Sequence, residues 1–453
     1  MVKKGDTLTL DIDSLAYGGR GVARKEDYVI FVDKGLPGQT VNVFLYKKKK
    51  GYGEARILDI VKESKYVADP PCEHFSFCGG CSLQHLNYTE QLNQKKKQVE
   101  DIFSRLAGIK NFHISNLISA DSIYNYRNKM EFTFSSRRWK LPKERAGLPT
   151  DFALGLHVPR RWDKILDISS CHIQHPLGNE ILQFIKHEAK KLNLKPYDQK
   201  LHNGFLRHLV LRFGVNTKQV MVNFVTSYEN LELLNPLANR LAESFPDVTS
   251  IINNVNRRKG DSAYGEWEKI LHGPPFIEEK IGDLTFEISS NSFFQTNTHQ
   301  AEKLYSEILE QANLTGKETV FDMYCGTGTI ALYLAKFSKE VFGFETVSSS
   351  VEDALRNSVR NGLGNTKFFK TNLEKTVPYD SLPVPDVIVV DPPRAGLIGN
   401  AIRSIISFGA KKIIYVSCNP TTQARDTIVF EQNGYKLRYM SLVDMFPHTP
   451  HIE

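Results

Sequence analysis

The chain has 453 residues, 41% hydrophobic and 24% charged, which excludes a disordered polyelectrolyte and supplies material for two or three cored domains. No run approaches the roughly 18 consecutive apolar residues of a membrane span, and the opening Met1-Val2-Lys3-Lys4-Gly5-Asp6 lacks the apolar core of a signal peptide, so a cytoplasmic enzyme without membrane contact is expected. Lys and Arg total 58 against 51 Asp and Glu, a net charge of +7, which favours a polyanionic partner.

Residues 1–62 read as short strands between glycine turns, Thr7 to Ile12, Val29 to Val32, Thr40 to Tyr46 and Ala55 to Ile60, the pattern of a small β-barrel. Lys47 to Lys50 form a basic run at the expected hairpin tip, where ammonium groups could meet phosphates or simply be solvated. Residues 63–290 read as a β-rich central domain. It opens on a cysteine-containing loop and a helix from Tyr88 to Leu106 carrying Lys95, Lys96 and Lys97. Strands follow at Lys129 to Phe134, Leu209 to Phe213 and Gln219 to Val225, with one helical stretch from Asn179 to Leu192. From residue 291 to 453, apolar strands at Thr319 to Asp322, Glu340 to Phe344, Asp386 to Val390 and Lys412 to Val416 alternate with helices, the first capped near Asn297 and Thr298. Such alternation predicts a doubly wound parallel sheet covered on both faces, and hence a multidomain α/β protein.

Six cysteines are too few for a disulfide-stapled secreted protein, and four of them, Cys72, Cys78, Cys81 and Cys171, lie in the first half. This distribution suggests one four-thiolate metal or cluster site. From spacing alone, zinc and an iron–sulfur cluster fit equally.

The first strand of the α/β domain runs into Asp322-Met323-Tyr324-Cys325-Gly326-Thr327-Gly328. Glycines at a strand-to-helix turn let a ligand approach the backbone, and the helix start presents free N–H groups. Glu345, 21 positions past Tyr324, stands where an acid can accept hydrogen bonds from ribose hydroxyls. The turn lacks the third glycine of a pyrophosphate fingerprint, so S-adenosylmethionine fits better than a dinucleotide. Asp391-Pro392-Pro393-Arg394 and Ser417-Cys418-Asn419-Pro420 end two later strands at the same edge. Cys418 there is a candidate nucleophile, whereas Cys325 is expected to pack beside the turn. The closing His448-Thr449-Pro450-His451-Ile452-Glu453 offers Glu453 as a general base. Its two histidines make a poor metal pair because Thr-Pro intervenes.

Taken with Phe294-Gln295-Thr296-Asn297, these motifs resemble the RNA uracil-C5 methyltransferases over nearly the whole chain. Within that family the resemblance is to the branch acting on 23S ribosomal RNA rather than the transfer-RNA branch, because barrel and cysteine set are both present. The resemblance implies an RNA-binding OB-like TRAM barrel, a 4Fe-4S cluster on Cys72, Cys78, Cys81 and Cys171, and S-adenosylmethionine contacts at Gln295, Tyr324, Glu345 and Asp391, with Asn372 as a further one. It implies Cys418 as the nucleophile adding to uracil C6, Glu453 as the base removing the C5 proton, and 23S ribosomal RNA as the partner; a monomer is expected, although the sequence does not fix the oligomeric state. Family members usually continue past the glutamate on which this sequence stops, so either the sequence is trimmed there or the terminus differs and an α-carboxylate stands beside the base. Two rivals predict otherwise. An amino-methyltransferase needs no cysteine and usually has an aromatic after the prolines, and a non-catalytic cluster protein that binds RNA needs only the first half of the chain.

Overall fold

The computed structural model describes residues 2–453 except positions 111, 143, 145, 146, 148 and 376–381. Six strands form the first unit, β1 (Thr7–Asp11), β2 (Ser14–Leu15), β3 (Gly21–Lys25), β4 (Tyr28–Asp33), β5 (Thr40–Lys48) and β6 (Tyr52–Lys62), in the order β1-β5-β6-β4-β3-β2. On β5, Val41, Val43 and Leu45 are fully buried while the residues between them are not. This period of two sends one strand face into a core shared with Leu10, Ile12, Ile30 and Val32. Lys47 is drawn out of the basic run, because its Nζ lies 2.6 Å from Glu54 Oε1. Lys48, Lys49 and Lys50 remain as the exposed tip.

The helix expected between Tyr88 and Leu106 is α1 (Tyr88–Leu106), capped by the Asn87 side chain, which accepts from Glu90 N–H. Its inward face is polar. Gln94 Oε1 accepts from Leu15 N–H of the barrel at 2.8 Å, and the Lys95 Nζ lies 2.6 Å from Asp444 Oδ1, the two side chains being 1% and 0% exposed. One turn further, Val99 and Phe103 pack with Ala424, Leu442 and Ile452 from the far end of the chain.

Next come β7 (Asn116–Ile118), β8 (Lys129–Ser135), β9 (Ala153–Val158), β10 (Arg161–Asp167), α2 (Pro176–Lys191), β11 (Leu206–Phe213), β12 (Val220–Thr226), α3 (Leu231–Ser244), β13 (Val248–Val255) and β14 (Trp267–His272). They make a seven-stranded sheet, β10-β9-β8-β11-β12-β13-β14, from which β7 stands apart. Both helices bury apolar residues on it, among them Ile181, Ile185, Leu234, Leu237 and Leu241 against Phe132, Leu209 and Phe224. The sequence suggests a single helix here, and α3 corrects that reading. Pro236 looks like a breaker but sits in the second turn of α3, where the Asn230 cap and the stripe Leu234, Leu237, Ala238 and Leu241 outweigh its missing N–H.

A hairpin of β15 (Phe276–Ile281) and β16 (Leu284–Ser289) leads into α4 (Thr298–Ala312), β17 (Thr319–Met323), α5 (Thr329–Ala335), β18 (Glu340–Glu345), α6 (Ser348–Arg360), β19 (Thr366–Lys370), β20 (Val387–Val390), α7 (Ala401–Ser407), β21 (Lys412–Tyr415), α8 (Pro420–Gln432) and β22 (Ser441–Val443). Strands β17 to β21 form a parallel sheet in the order β19-β18-β17-β20-β21. Its connections reverse direction between β17 and β20, the switch point at which ligands bind doubly wound sheets. The hairpin residues Ile277, Ile281, Phe286 and Ile288 share the core of α4 and β17. The last strand, β22, pairs in parallel with β7, Ser441 opposite Asn116. The C-terminal residues are thereby fastened to the front half of the chain. Among the described residues, no helix is long and apolar enough to cross a membrane.

Candidate active site

The turn after β17 shapes the first half of the site. Tyr324, Gly326 and Gly328 all take positive φ, at 65°, 53° and 82°. A Cβ at Gly328 would press to 3.0 Å from Ala354 Cβ, whereas one at Gly326 would meet nothing within 4 Å. The turn is therefore tight towards α6 and open over Gly326, as a bound ligand requires. Glu345, closing β18, accepts from Gly326 N–H at 3.1 Å through Oε2 and from Thr346 and Val347 N–H through Oε1. Its first task is thus to brace the turn and the start of α6. Oε1 also accepts from the Thr346 hydroxyl and is saturated, whereas Oε2, with one donor, still has a lone pair for a ligand hydroxyl.

The other expected cofactor residues arrive at the same edge. Asn372 follows Thr371, whose N–H donates to Glu345 O at 2.7 Å, and its Oδ1 accepts from Glu374 N–H. Gln295 lies in the β16–α4 connection, where Phe293 O accepts from the Thr327 hydroxyl of the glycine turn, and is 7% exposed. Asp391 follows β20, with its N–H directed to Met323 O at 3.3 Å. Sequence reading left out Asp322. This residue is fully buried in β17, and both its carboxylate oxygens lack a hydrogen-bond partner. Desolvation, followed by the charge of Asp391, holds its carboxyl well above the usual carboxylate range. The signal was available as an acid inside an otherwise apolar strand. Burial likewise pushes Asp391 up to about 6. Asp322, Glu345 and Asp391 together make an edge that favours a cation.

Cys418 enters from β21. Val416 N–H donates to Val390 O at 2.9 Å, bringing the thiol beside Asp391. The next residue, Asn419, caps α8 and donates to Arg394 O, tying the Asp-Pro-Pro-Arg loop to the cysteine. Glu453 comes from the tail, its N–H and C=O paired with Val443. Cys418 and Glu453 lie in each other's electrostatic field, with Arg394 and Asp391 beside both. Burial pushes the Cys418 thiol up to about 11. The Glu453 charge adds to that rise, and Arg394 pulls against it. Burial and Asp391 hold the Glu453 carboxyl well above its usual range, and its Oε2 is buried without a partner.

The tail is held from several sides. His448, at φ +64°, has its C=O bonded by Ser82 and Leu83 N–H and its N–H by Gln91 Oε1 at 2.9 Å. Its ring stacks on Tyr124 at 4.4 Å. Tyr126 donates to Pro447 O, Asn297 to Met445 O and Gln300 to Asp444 O. So many partners over-determine a left-handed backbone that a histidine seldom adopts. His451 Nδ1 meets Arg394 Nη2 at 3.0 Å. The two histidines have separate partners and form no metal pair. Cys325, 6% exposed, packs beneath the turn as expected.

Cys72, Cys78, Cys81 and Cys171 are free thiols, all partly buried, and each of Cys78, Cys81 and Cys171 feels the charge of others in the set. Gly80 N–H already donates to Cys78 Sγ at 3.3 Å. Among the described residues, no group of three or more His, Cys, Asp or Glu is disposed to hold a metal ion. A single zinc at about 2.3 Å from each sulfur would need them tightly gathered. By donor chemistry alone, four thiols could serve either zinc or an iron–sulfur cluster.

Residues 268–453 match the family described as tRNA (Uracil-5-)-methyltransferase, and residues 2–58 match the TRAM domain. Proteins described as uncharacterized RNA methyltransferases from Halalkalibacterium halodurans and Chlorobaculum tepidum are 39% and 38% identical, with this chain fully covered and 96% of each relative matched. The crystal structure of the Pyrococcus abyssi tRNA (uracil-54, C5)-methyltransferase with S-adenosyl-L-homocysteine superimposes with a TM-score of 0.77 at 31% identity, covering 98% of this chain and 97% of that one.

The raised thiol sets a pH dependence. In the free protein, site-resolved alkylation of Cys418 should be slow at pH 7 and accelerate about tenfold per pH unit until it levels near pH 11. Replacing Arg394 by Ala should move that curve to higher pH. A rate already flat at pH 7 would contradict the described environment.

Proposed function

The chain belongs to the RNA uracil-C5 methyltransferases, and from that membership we propose that it methylates C5 of uridine in 23S ribosomal RNA through a covalent link between Cys418 and uracil C6. The convergence of Cys418, Glu453, Arg394 and Asp391 beside the glycine turn carries the reading. Gln295, Tyr324, Glu345, Asn372 and Asp391 are assigned to the cofactor. The division into residues 1–62, 63–290 and 291–453 remains our working one. A single chain supplies thiol, base and cofactor edge, which suits a cytoplasmic monomer.

Uracil C5 is a weak carbon nucleophile, so Cys418, after its S–H bond breaks and the proton passes to solvent, first adds to C6 as the thiolate. The S–C6 bond forms and the C5=C6 electron pair moves towards O4 as an enolate. Arg394, the cation nearest both groups, stabilises the thiolate before attack. S-adenosylmethionine, when bound, supplies the methyl group that C5 takes up, and its positive charge suits the acidic edge of Asp322 and Asp391. Glu453 then removes the C5 proton through the unpartnered Oε2, the C5=C6 bond re-forms, and the S–C6 bond breaks to release the thiolate. The uridine must leave its stack to reach this corner.

Without Cys418 no enolate forms, so Cys418→Ala should abolish methyl transfer and any adduct with RNA. Glu453→Gln should still add and methylate but retain the proton, accumulating an RNA-linked species stable to denaturing electrophoresis. Full turnover by Cys418→Ala would defeat the mechanism. The tRNA reading is carried by the full-length likeness to the Pyrococcus tRNA enzyme. Mass-spectrometric mapping of 5-methyluridine in cells lacking the gene decides between them: loss from 23S RNA supports our assignment, and loss from tRNA alone replaces it.

We assign Cys72, Cys78, Cys81 and Cys171 to a structural 4Fe-4S cluster. They lie outside the α/β sheet, and Ser82 and Leu83, which follow Cys81, hold the His448 carbonyl. Anaerobically purified protein should be brown and hold about four irons per chain. Stoichiometric zinc without iron would overturn the assignment.

A further inference from the structure

The turn between β2 and β3 is distant from Cys418 in sequence and adjacent to it in space. It is closed by Ala16 N–H to Arg20 O at 2.8 Å and Gly19 N–H to Ala16 O at 2.9 Å. Gly18 and Gly19 take φ of +98° and +83°. A Cβ on Gly19 would stand 3.4 Å from Ser82 Oγ and 3.7 Å from Pro450 Cβ, so the turn lies directly on the tail that delivers Glu453. Its base is anchored by the Leu15 N–H bond to Gln94 of α1.

Tyr17 occupies the tip of this fixed turn. Its phenol faces the Arg394 guanidinium and lies in the field of Cys418 and Glu453, yet the residue is 36% exposed. A tyrosine needed only for packing would have its ring covered. Here the hydroxyl end is held at the catalytic corner while the residue as a whole stays partly open to what enters. Every base offers a π-face, and an open aromatic at the mouth of a uridine site suits stacking.

We propose that Tyr17 is a substrate-positioning residue, its ring stacking on the base that enters the Cys418 site, so that the barrel supplies one wall of the catalytic mouth. The inference rests on the uracil-C5 reading of that site. It differs in kind from a phosphate grip at Lys48, Lys49 and Lys50, since stacking carries no counterion release.

The test measures methyl incorporation into RNA from cells lacking the gene, as a function of RNA concentration and salt, for the full-length protein. Tyr17→Ala should raise the RNA KM roughly 5- to 100-fold, with kcat much less affected and the salt dependence unchanged. Tyr17→Phe, which keeps the ring, should stay within about threefold of the parent. The proposal is overturned if Tyr17→Ala leaves KM unaltered, if Tyr17→Phe is impaired as severely as Tyr17→Ala, or if the loss appears as a changed salt slope. Turnover by Cys418→Ala would defeat the covalent reading alone, leaving these comparisons to decide the role of Tyr17.

Discussion

The buried ion pair between Lys95 and Asp444 is the contact on which the catalytic corner depends. Neither side chain reaches solvent, and removing one partner of such a pair leaves an uncompensated charge that costs about 3–5 kcal/mol. The pair is not isolated. Lys95 also donates to Phe446 O, and Gln91, one turn earlier on α1, clamps His448 from both its N–H and its ring. A helix from the first quarter of the chain thereby fixes the ten residues that end in Glu453. The same helix holds the barrel through Gln94 and α8 through Val99 and Phe103.

Electrostatic cost is concentrated where the chemistry is. Asp322, Asp391 and Glu453 are carboxyls held above their usual range by burial, and the first and last also by the charge of Asp391, and Cys418 is held as a thiol. A fold selected for stability alone would not gather these groups. A cationic cofactor at this edge lowers the cost of ionising the acids, and the expulsion of water that raises their proton affinity also makes Glu453 a stronger base once it is charged.

Much of this organisation is legible in the sequence. The strand from Thr40 to Tyr46, the helix from Tyr88 to Leu106 and the apolar strands leading to Tyr324, Glu345, Asp391 and Cys418 follow from local pattern, because each depends on neighbours a few residues apart. The tail contacts do not. Nothing local to Lys95 distinguishes it from Lys96 and Lys97, and only a partner 349 positions away makes it a core residue. Lys47 is removed from the basic run by Glu54 across a hairpin, α3 survives Pro236 through the core it covers, and Asp322 gains its character from burial and then from Asp391 just past the neighbouring strand. The cysteine set is visible as composition alone.

The central claim is that α1 positions Glu453 through the tail, and it can be tested at the one step that Glu453 performs. RNA carrying tritium at uridine C5 reports proton removal directly, while protein–RNA adduct reports the earlier attack by Cys418. In Gln91→Met, which releases the His448 clamp, adduct should form at close to the parent rate while tritium release slows by at least about tenfold, a misplacement cost within the range expected for a catalytic base. Equal loss of both signals, or loss of neither, would contradict the claim.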